Sequence, residues 1–133
     1  MTKTFKELQS VDELIGNLYQ KDAKLKDTKF GYDYKRFSEK NYVPVIKEFQ
    51  EALASIRINN ALEDKNTKEI LVDRANPRGY KYSKEGLNAC IAQERKIEKE
   101  FDEKVIEITP YFCKVLPELT EEQVEQLKGL IIE

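Results

Sequence analysis

The run Pro44-Val45-Ile46-Lys47-Glu48-Phe49-Gln50-Glu51-Ala52-Leu53-Ala54-Ser55-Ile56-Arg57-Ile58-Asn59-Asn60-Ala61-Leu62 carries a strong helical pattern, and the fold is read outward from it. Val45, Phe49, Leu53, Ile56 and Asn60 recur at helical spacing, and Ile46, Ala52 and Ala61 widen the stripe. This predicts an amphipathic helix over 44–63. Upstream, Pro44 lacks an amide donor, so a helix arriving from before it either kinks there or stops near Asn41 and restarts with Pro44 in its first turn.

Downstream, Leu87, Cys90, Ile91, Glu94, Ile97, Phe101 and Val105 follow a seven-residue rhythm among charged residues. Ser83 offers an N-cap, which predicts a helix over 84–104 with a narrow apolar seam of the kind that packs on one other helix. Between the two helices, Ile70-Leu71-Val72 and Tyr80-Lys81-Tyr82 flank Asn76-Pro77-Arg78-Gly79, with proline and glycine at turn positions. The expected fold is therefore α+β, mainly α. A long antiparallel helical hairpin, about 30 Å in length, carries a small β-hairpin at its tip, alongside short accessory helices. Phe49, Leu53, Ile56, Ile91, Ile97 and Phe101 are expected to be mostly buried.

The flanking segments read as shorter elements. Ser10-Val11-Asp12-Glu13 has the form of a capping box opening a helix over roughly 11–21. Near Thr28 a second helical stretch begins, with Phe30, Tyr34 and Phe37 on one face. Val105-Ile106-Glu107-Ile108-Thr109 has strand composition and ends at Pro110. Thr120-Glu121-Glu122-Gln123 is another capping box, and Gly129 suits the stop of the helix it opens. Leu130-Ile131-Ile132 reads as a short strand or a docked apolar tail.

Composition excludes much chemistry. The 133 residues fit a single helical domain, 1–133, which buries roughly two thirds of its unfolded surface. With no histidine, Ser-His and Cys-His nucleophile pairs and imidazole metal ligands are all absent. Cys90 and Cys113 are too few for a structural zinc site and read as reduced thiols. No phosphate-binding loop or nucleophile elbow is present, so no catalytic residue, metal ligand or cofactor is expected. Glu94, Glu98, Asp102 and Glu103 interleave with lysine and arginine and read as a solvated face. No apolar run approaches a membrane span, and residues 1–7 lack the apolar core of a signal peptide, which points to the cytoplasm.

Two basic-aromatic patches remain as candidate binding surfaces. From Tyr19 to Tyr42 the chain holds six aromatics and seven basic groups against four acidic ones. Core packing absorbs Phe30, Tyr34 and Phe37, leaving Tyr32, Lys29, Lys35 and Arg36. The hairpin contributes Arg74, Arg78, Tyr80, Lys81, Tyr82 and Lys84, residue types that serve as contact anchors, although paired tyrosines also stabilise hairpins. The net charge of −2, with 12 basic and 11 acidic groups in residues 1–66 and 11 and 14 in residues 67–133, lacks the excess of a dedicated nucleic-acid binder. The expected role is a non-enzymatic accessory protein that binds another protein. Nucleic-acid binding through the two patches is the alternative.

Lys29-Phe30-Gly31-Tyr32 opens a long helix, and the chain closes on Leu119-Thr120-Glu121-Glu122-Gln123 and Leu127-Lys128-Gly129-Leu130-Ile131-Ile132-Glu133. In this order of parts, residues 28–133 resemble a group of small proteins of unknown function encoded by tailed bacteriophages and prophages. The resemblance implies a phage-encoded factor in a host cytoplasm and a phage or host protein as partner. It carries over no functional residue.

Overall fold

A computed structural model describes all residues, Met1–Glu133. The fold is α+β and mainly α, with five α-helices and one two-stranded antiparallel sheet. The chain forms two compact units, one of residues 1–46 and 102–133, the other of residues 47–101.

In the first unit, strand β1 (Thr2–Thr4) leads into helix α1 (Phe5–Lys21). The Thr4 side chain accepts from the Glu7 N–H at 3.2 Å, and Glu7 Oε1 accepts from the Thr4 N–H at 3.1 Å. This capping box starts the helix six residues before the expected position. Ser10 lies inside it, its hydroxyl donating to the Lys6 carbonyl. The correction has a physical cause, because Phe5, Leu8 and Val11 extend the stripe of Leu14, Ile15 and Leu18 backwards along one buried face.

A 3-10 turn, Ala23–Asp27, connects to α2 (Lys29–Asn41), capped by the Thr28 hydroxyl. Gly31 sits so close to that turn that a β-carbon would run into the carbonyl oxygens of Leu25 and Lys26. The buried face of α2 presents Phe30, Tyr34 and Phe37 to the core, as the spacing predicts. The Tyr34 hydroxyl donates to Asp12 Oδ1 at 2.6 Å, and burial pushes its phenol well above the ordinary range.

β2 (Val105–Glu107) fulfils the expected strand and pairs antiparallel with β1, Lys3 opposite Ile106. Helix α5 (Glu121–Leu127) carries the expected Thr120–Gln123 capping box. Gly129, at φ +81°, turns the chain back so that Leu130 and Ile131 are fully buried. The apolar tail is thus docked in the core with Leu127, Phe5, Leu8, Ile15, Phe30 and Phe37. Each such side chain contributes about 1.5–3 kcal/mol on burial, so this unit holds most of the apolar stabilisation.

Helix α3 (Val43–Asn60) begins one residue past Tyr42, and the Val45 and Ile46 N–H groups both donate to the Tyr42 carbonyl. Of the two readings at Pro44, the restart is correct. In the second unit α3 runs antiparallel to α4 (Lys84–Asp102): Phe49 meets Phe101 with ring centroids 5.1 Å apart, and Asn60 Nδ2 donates to Gln93 Oε1 at 3.0 Å. The connecting segment folds back as expected, with Gly79 at φ +85° and its N–H donating to the Asn76 carbonyl. Its pairing consists of isolated bridges, Val72 opposite Tyr80 and Glu63 opposite Ile70, because Lys81 divides its main chain between Leu71 and Leu62.

Phe49, Leu53, Ile56, Ile91, Ile97 and Phe101 are mostly covered, as expected, but none of them is fully buried, and α3 has no fully buried residue. Two helices cover one side of each other, and the connecting segment packs on them through Arg78 and Tyr82 near Arg57 and Glu94. The buried positions of this unit are Cys90 and Glu94.

Candidate functional site

The ten residues singled out in the sequence divide between the units, Lys29, Tyr32, Lys35 and Arg36 in the first and the other six in the second. In the connecting segment, Arg78 does not present a free cation. Its guanidinium donates twice to Glu94 Oε1, at 3.0 and 2.8 Å, while Arg57 Nε donates to Glu94 Oε2 at 2.8 Å. Glu94 is 5% exposed, so both oxygens of a buried carboxylate are held by arginines. Burial opposes its ionisation most strongly, yet the hydrogen bonds and charges of Arg78 and Arg57 together prevail and keep its carboxyl below the usual value. This corrects the reading of Glu94 as part of a solvated acidic face.

The Tyr82 hydroxyl donates to the Arg57 carbonyl at 3.0 Å, and burial, with Cys90 beside it, pushes the phenol up to about 12. Tyr80 is half-buried at its bridge to Val72, while Arg74 and Lys81 are exposed. Arg78 and Tyr82 therefore hold the hairpin on the helices, and Arg74, Lys81 and Lys84 remain as exposed cations of the proposed tip.

The other four residues, Lys29, Tyr32, Lys35 and Arg36, lie on α2. Tyr32 is 60% exposed. Lys35 is exposed and reaches Glu39 at 4.0 Å; Arg36 reaches Asp33 at 4.0 Å and lies over the Tyr111 ring, 5.0 Å from its centroid. Tyr111 belongs to the segment after Pro110 that runs back along the C-terminal tail. The Tyr111 N–H donates to the Leu130 carbonyl and the Cys113 N–H to the Ile131 carbonyl. Alternating residues of this extended stretch therefore turn inward, which leaves Phe112 and Lys114 outward.

The result is a shallow trough at the start of α2. One hollow, of about 310 Å³, lies among Lys29, Tyr32, Asp33, Phe112, Lys114 and Val115. A second, of about 170 Å³, shares Lys29 and Val115 and extends along Leu25, Phe30, Leu116 and Pro117. Phe112, Val115 and Leu116 are 45%, 61% and 40% exposed. Sequence reasoning missed these three. The signal was a nearly continuous apolar run between Pro110 and Pro117, broken only by Lys114 and bounded by two prolines that exclude a helix.

Cys113 is half-buried and lies against Asp33. Burial raises its thiol to about 11, with Asp33 adding to the effect. It is accordingly a neutral thiol at physiological pH. Cys90 and Cys113 are both free, and no group of acidic or thiol side chains converges in a manner that could hold a metal ion. No helix is long and apolar enough to cross a membrane. No protein-family model, curated protein or solved structure matches the chain significantly.

Proposed function

We propose that the chain is a non-enzymatic interaction protein, a phage-encoded accessory factor of the host cytoplasm, which binds another protein through the trough at the start of α2. The observation that carries this reading is the convergence of four large exposed apolar side chains, Tyr32, Phe112, Val115 and Leu116, on adjoining hollows. Contiguous exposed apolar surface is costly in water and marks contact sites, whereas single exposed residues do not. Two of the four are aliphatic, which suits a protein partner; nucleic-acid stacking relies on aromatic faces.

The alternative, a nucleic-acid surface, is weakened by the arginine count. Arg78 is committed to Glu94, and Lys35 and Arg36 each lie beside a carboxylate. Affinity for single strands falls by about 0.7 log unit per phosphate contact per tenfold rise in salt, so a handful of partly neutralised cations gives weak binding.

The test places a photo-crosslinking amino acid at Val115, and separately at Gln50, in cells that express the chain. A discrete adduct with another protein is expected from position 115, absent from position 50 and lost when Leu116→Asp is added. An oligonucleotide titration by fluorescence anisotropy accompanies it. Submicromolar binding with a steep salt slope, and no adduct at 115, would make nucleic acid the better reading.

A further inference from the structure

The charges around the trough say what kind of protein segment it takes. Lys29 and Lys114 both line the larger hollow, and neither has an ion-pair partner. The one carboxylate there, Asp33, is shared with Arg36 at 4.0 Å and lies against the Cys113 thiol. The floor is apolar, formed by Phe30 and Leu25 beneath Val115 and Leu116. A partner that covers Tyr32 and Phe112 must also withdraw two ammonium groups from water.

That withdrawal is unfavourable unless the partner returns the lost hydration as hydrogen-bonded opposite charge. A basic segment adds repulsion, and a neutral one leaves both lysines uncompensated. Complementary charge also sets specificity at such rims, while apolar anchors supply most of the affinity. We infer that the trough takes an acidic peptide segment of a partner protein, with aliphatic or aromatic anchors in the two hollows and flanking carboxylates against Lys29 and Lys114. The inference rests on the reading of this surface as protein-binding and adds the chemistry of the occupant.

The experiment uses the full chain and three fluorescein-labelled twelve-residue peptides with a common Leu-Phe core. The flanks are Asp and Glu in the first, Ser in the second and Lys in the third. A dT oligonucleotide is the fourth probe. Exposed ion pairs contribute modestly, so the acidic peptide is expected to bind about tenfold tighter than the serine peptide, and the lysine peptide most weakly. The double reversal K29E/K114E should turn that order round, and F112S/L116S should weaken every peptide.

Equal binding of the acidic and serine peptides would overturn the acidic occupant while leaving a protein-binding surface. An acidic preference that survives K29E/K114E, or no binding of any peptide, would overturn it as well. In that last case the crosslink at position 115 decides separately whether the trough binds protein at all. Displacement of the acidic peptide by the oligonucleotide at physiological salt would assign the lysines to phosphate instead. Circular dichroism of each variant establishes that a loss of binding is not a loss of fold.

Discussion

Asn41 and Thr109 hydrogen-bond to each other twice. The Asn41 side-chain amide donates to the Thr109 carbonyl at 2.8 Å, and the Thr109 N–H donates to Asn41 Oδ1 at 2.8 Å. A second Nδ2 hydrogen reaches the Phe37 carbonyl at 2.9 Å. One buried side chain at the end of α2 thereby fixes the chain just after β2, where it leaves the sheet for the trough.

Asn41→Ala is therefore expected to destabilise the fold by about 2 kcal/mol, since it strands main-chain groups that were paired out of water. Asn41→Asp should do at least as much harm at neutral pH. Its carboxylate still accepts from the Thr109 N–H but faces two carbonyl oxygens. Urea denaturation followed by circular dichroism measures both. Protonation of the aspartate below pH 4 should recover part of the deficit, and its absence would contradict this account.

Arg74 and Arg78 sit four residues apart in one turn yet should respond in opposite ways to alanine. Arg74→Ala is exposed and is expected to change stability by less than about 0.5 kcal/mol. Arg78→Ala removes two charge-assisted hydrogen bonds to a buried carboxylate, for a loss of about 1–2 kcal/mol. Equal melting temperatures for the two variants would show that the Glu94 bridge does not support the fold.

The same bridge predicts acid sensitivity. The Glu94 carboxyl is held below its usual value in the fold, so the stabilisation is present above the ordinary carboxylate range and is lost as pH falls through the folded value. Glu94→Gln should cost about 2 kcal/mol at pH 7. That is less than for a fully buried pair, because both arginines keep some access to water. The deficit should shrink towards pH 3. Urea midpoints of both proteins across that range test the sign, and a constant deficit would refute it.

Two glycines in helices should also diverge. Gly31→Ala forces a methyl group against the main-chain oxygens of Leu25 and Lys26, which cannot rotate away, and should cost about 1–3 kcal/mol or more. Gly16 in α1 has open space around it, so Gly16→Ala should stabilise by about 0.5–1 kcal/mol through helix propensity. Thermal melts of the pair provide the comparison.

With its thiol raised to about 11, Cys113 should be alkylated slowly by iodoacetamide at pH 8, where about one thiol in a thousand is ionised. Asp33→Asn should accelerate the reaction. Intact-mass spectrometry reads both, and complete modification within minutes at pH 8 would rule out the burial argument. Neither a chelator nor a reductant should move the melting temperature, since both cysteines are free.

Local signals in the amino-acid sequence determined where most helices lie. Period, capping side chains and chain-breaking residues act over three or four positions, so Thr28, Pro44, Ser83, Thr120 and Gly129 mark boundaries that the fold keeps. The Asn76–Gly79 turn and the strand at Val105 were legible for the same reason. Only tertiary structure decided the rest. Thr2–Thr4 becomes a strand because Val105–Glu107, a hundred residues away, supplies its hydrogen bonds. The apolar stripe of α3 does not mark the main core, since its apolar residues are spread more widely around the helix than those of α1 and α2, and a stripe reports that a face can be covered and not how completely. Arg78 and Glu94 lie sixteen residues apart, and nothing local distinguishes them from solvated neighbours until a turn brings guanidinium to carboxylate. The trough is the same kind of object: Tyr32 and Phe112 share a surface because the Pro110–Pro117 segment is pinned by the C-terminal tail. Pairing of groups distant in the chain depends on the whole fold's geometry, and that information resides in no short stretch of residues.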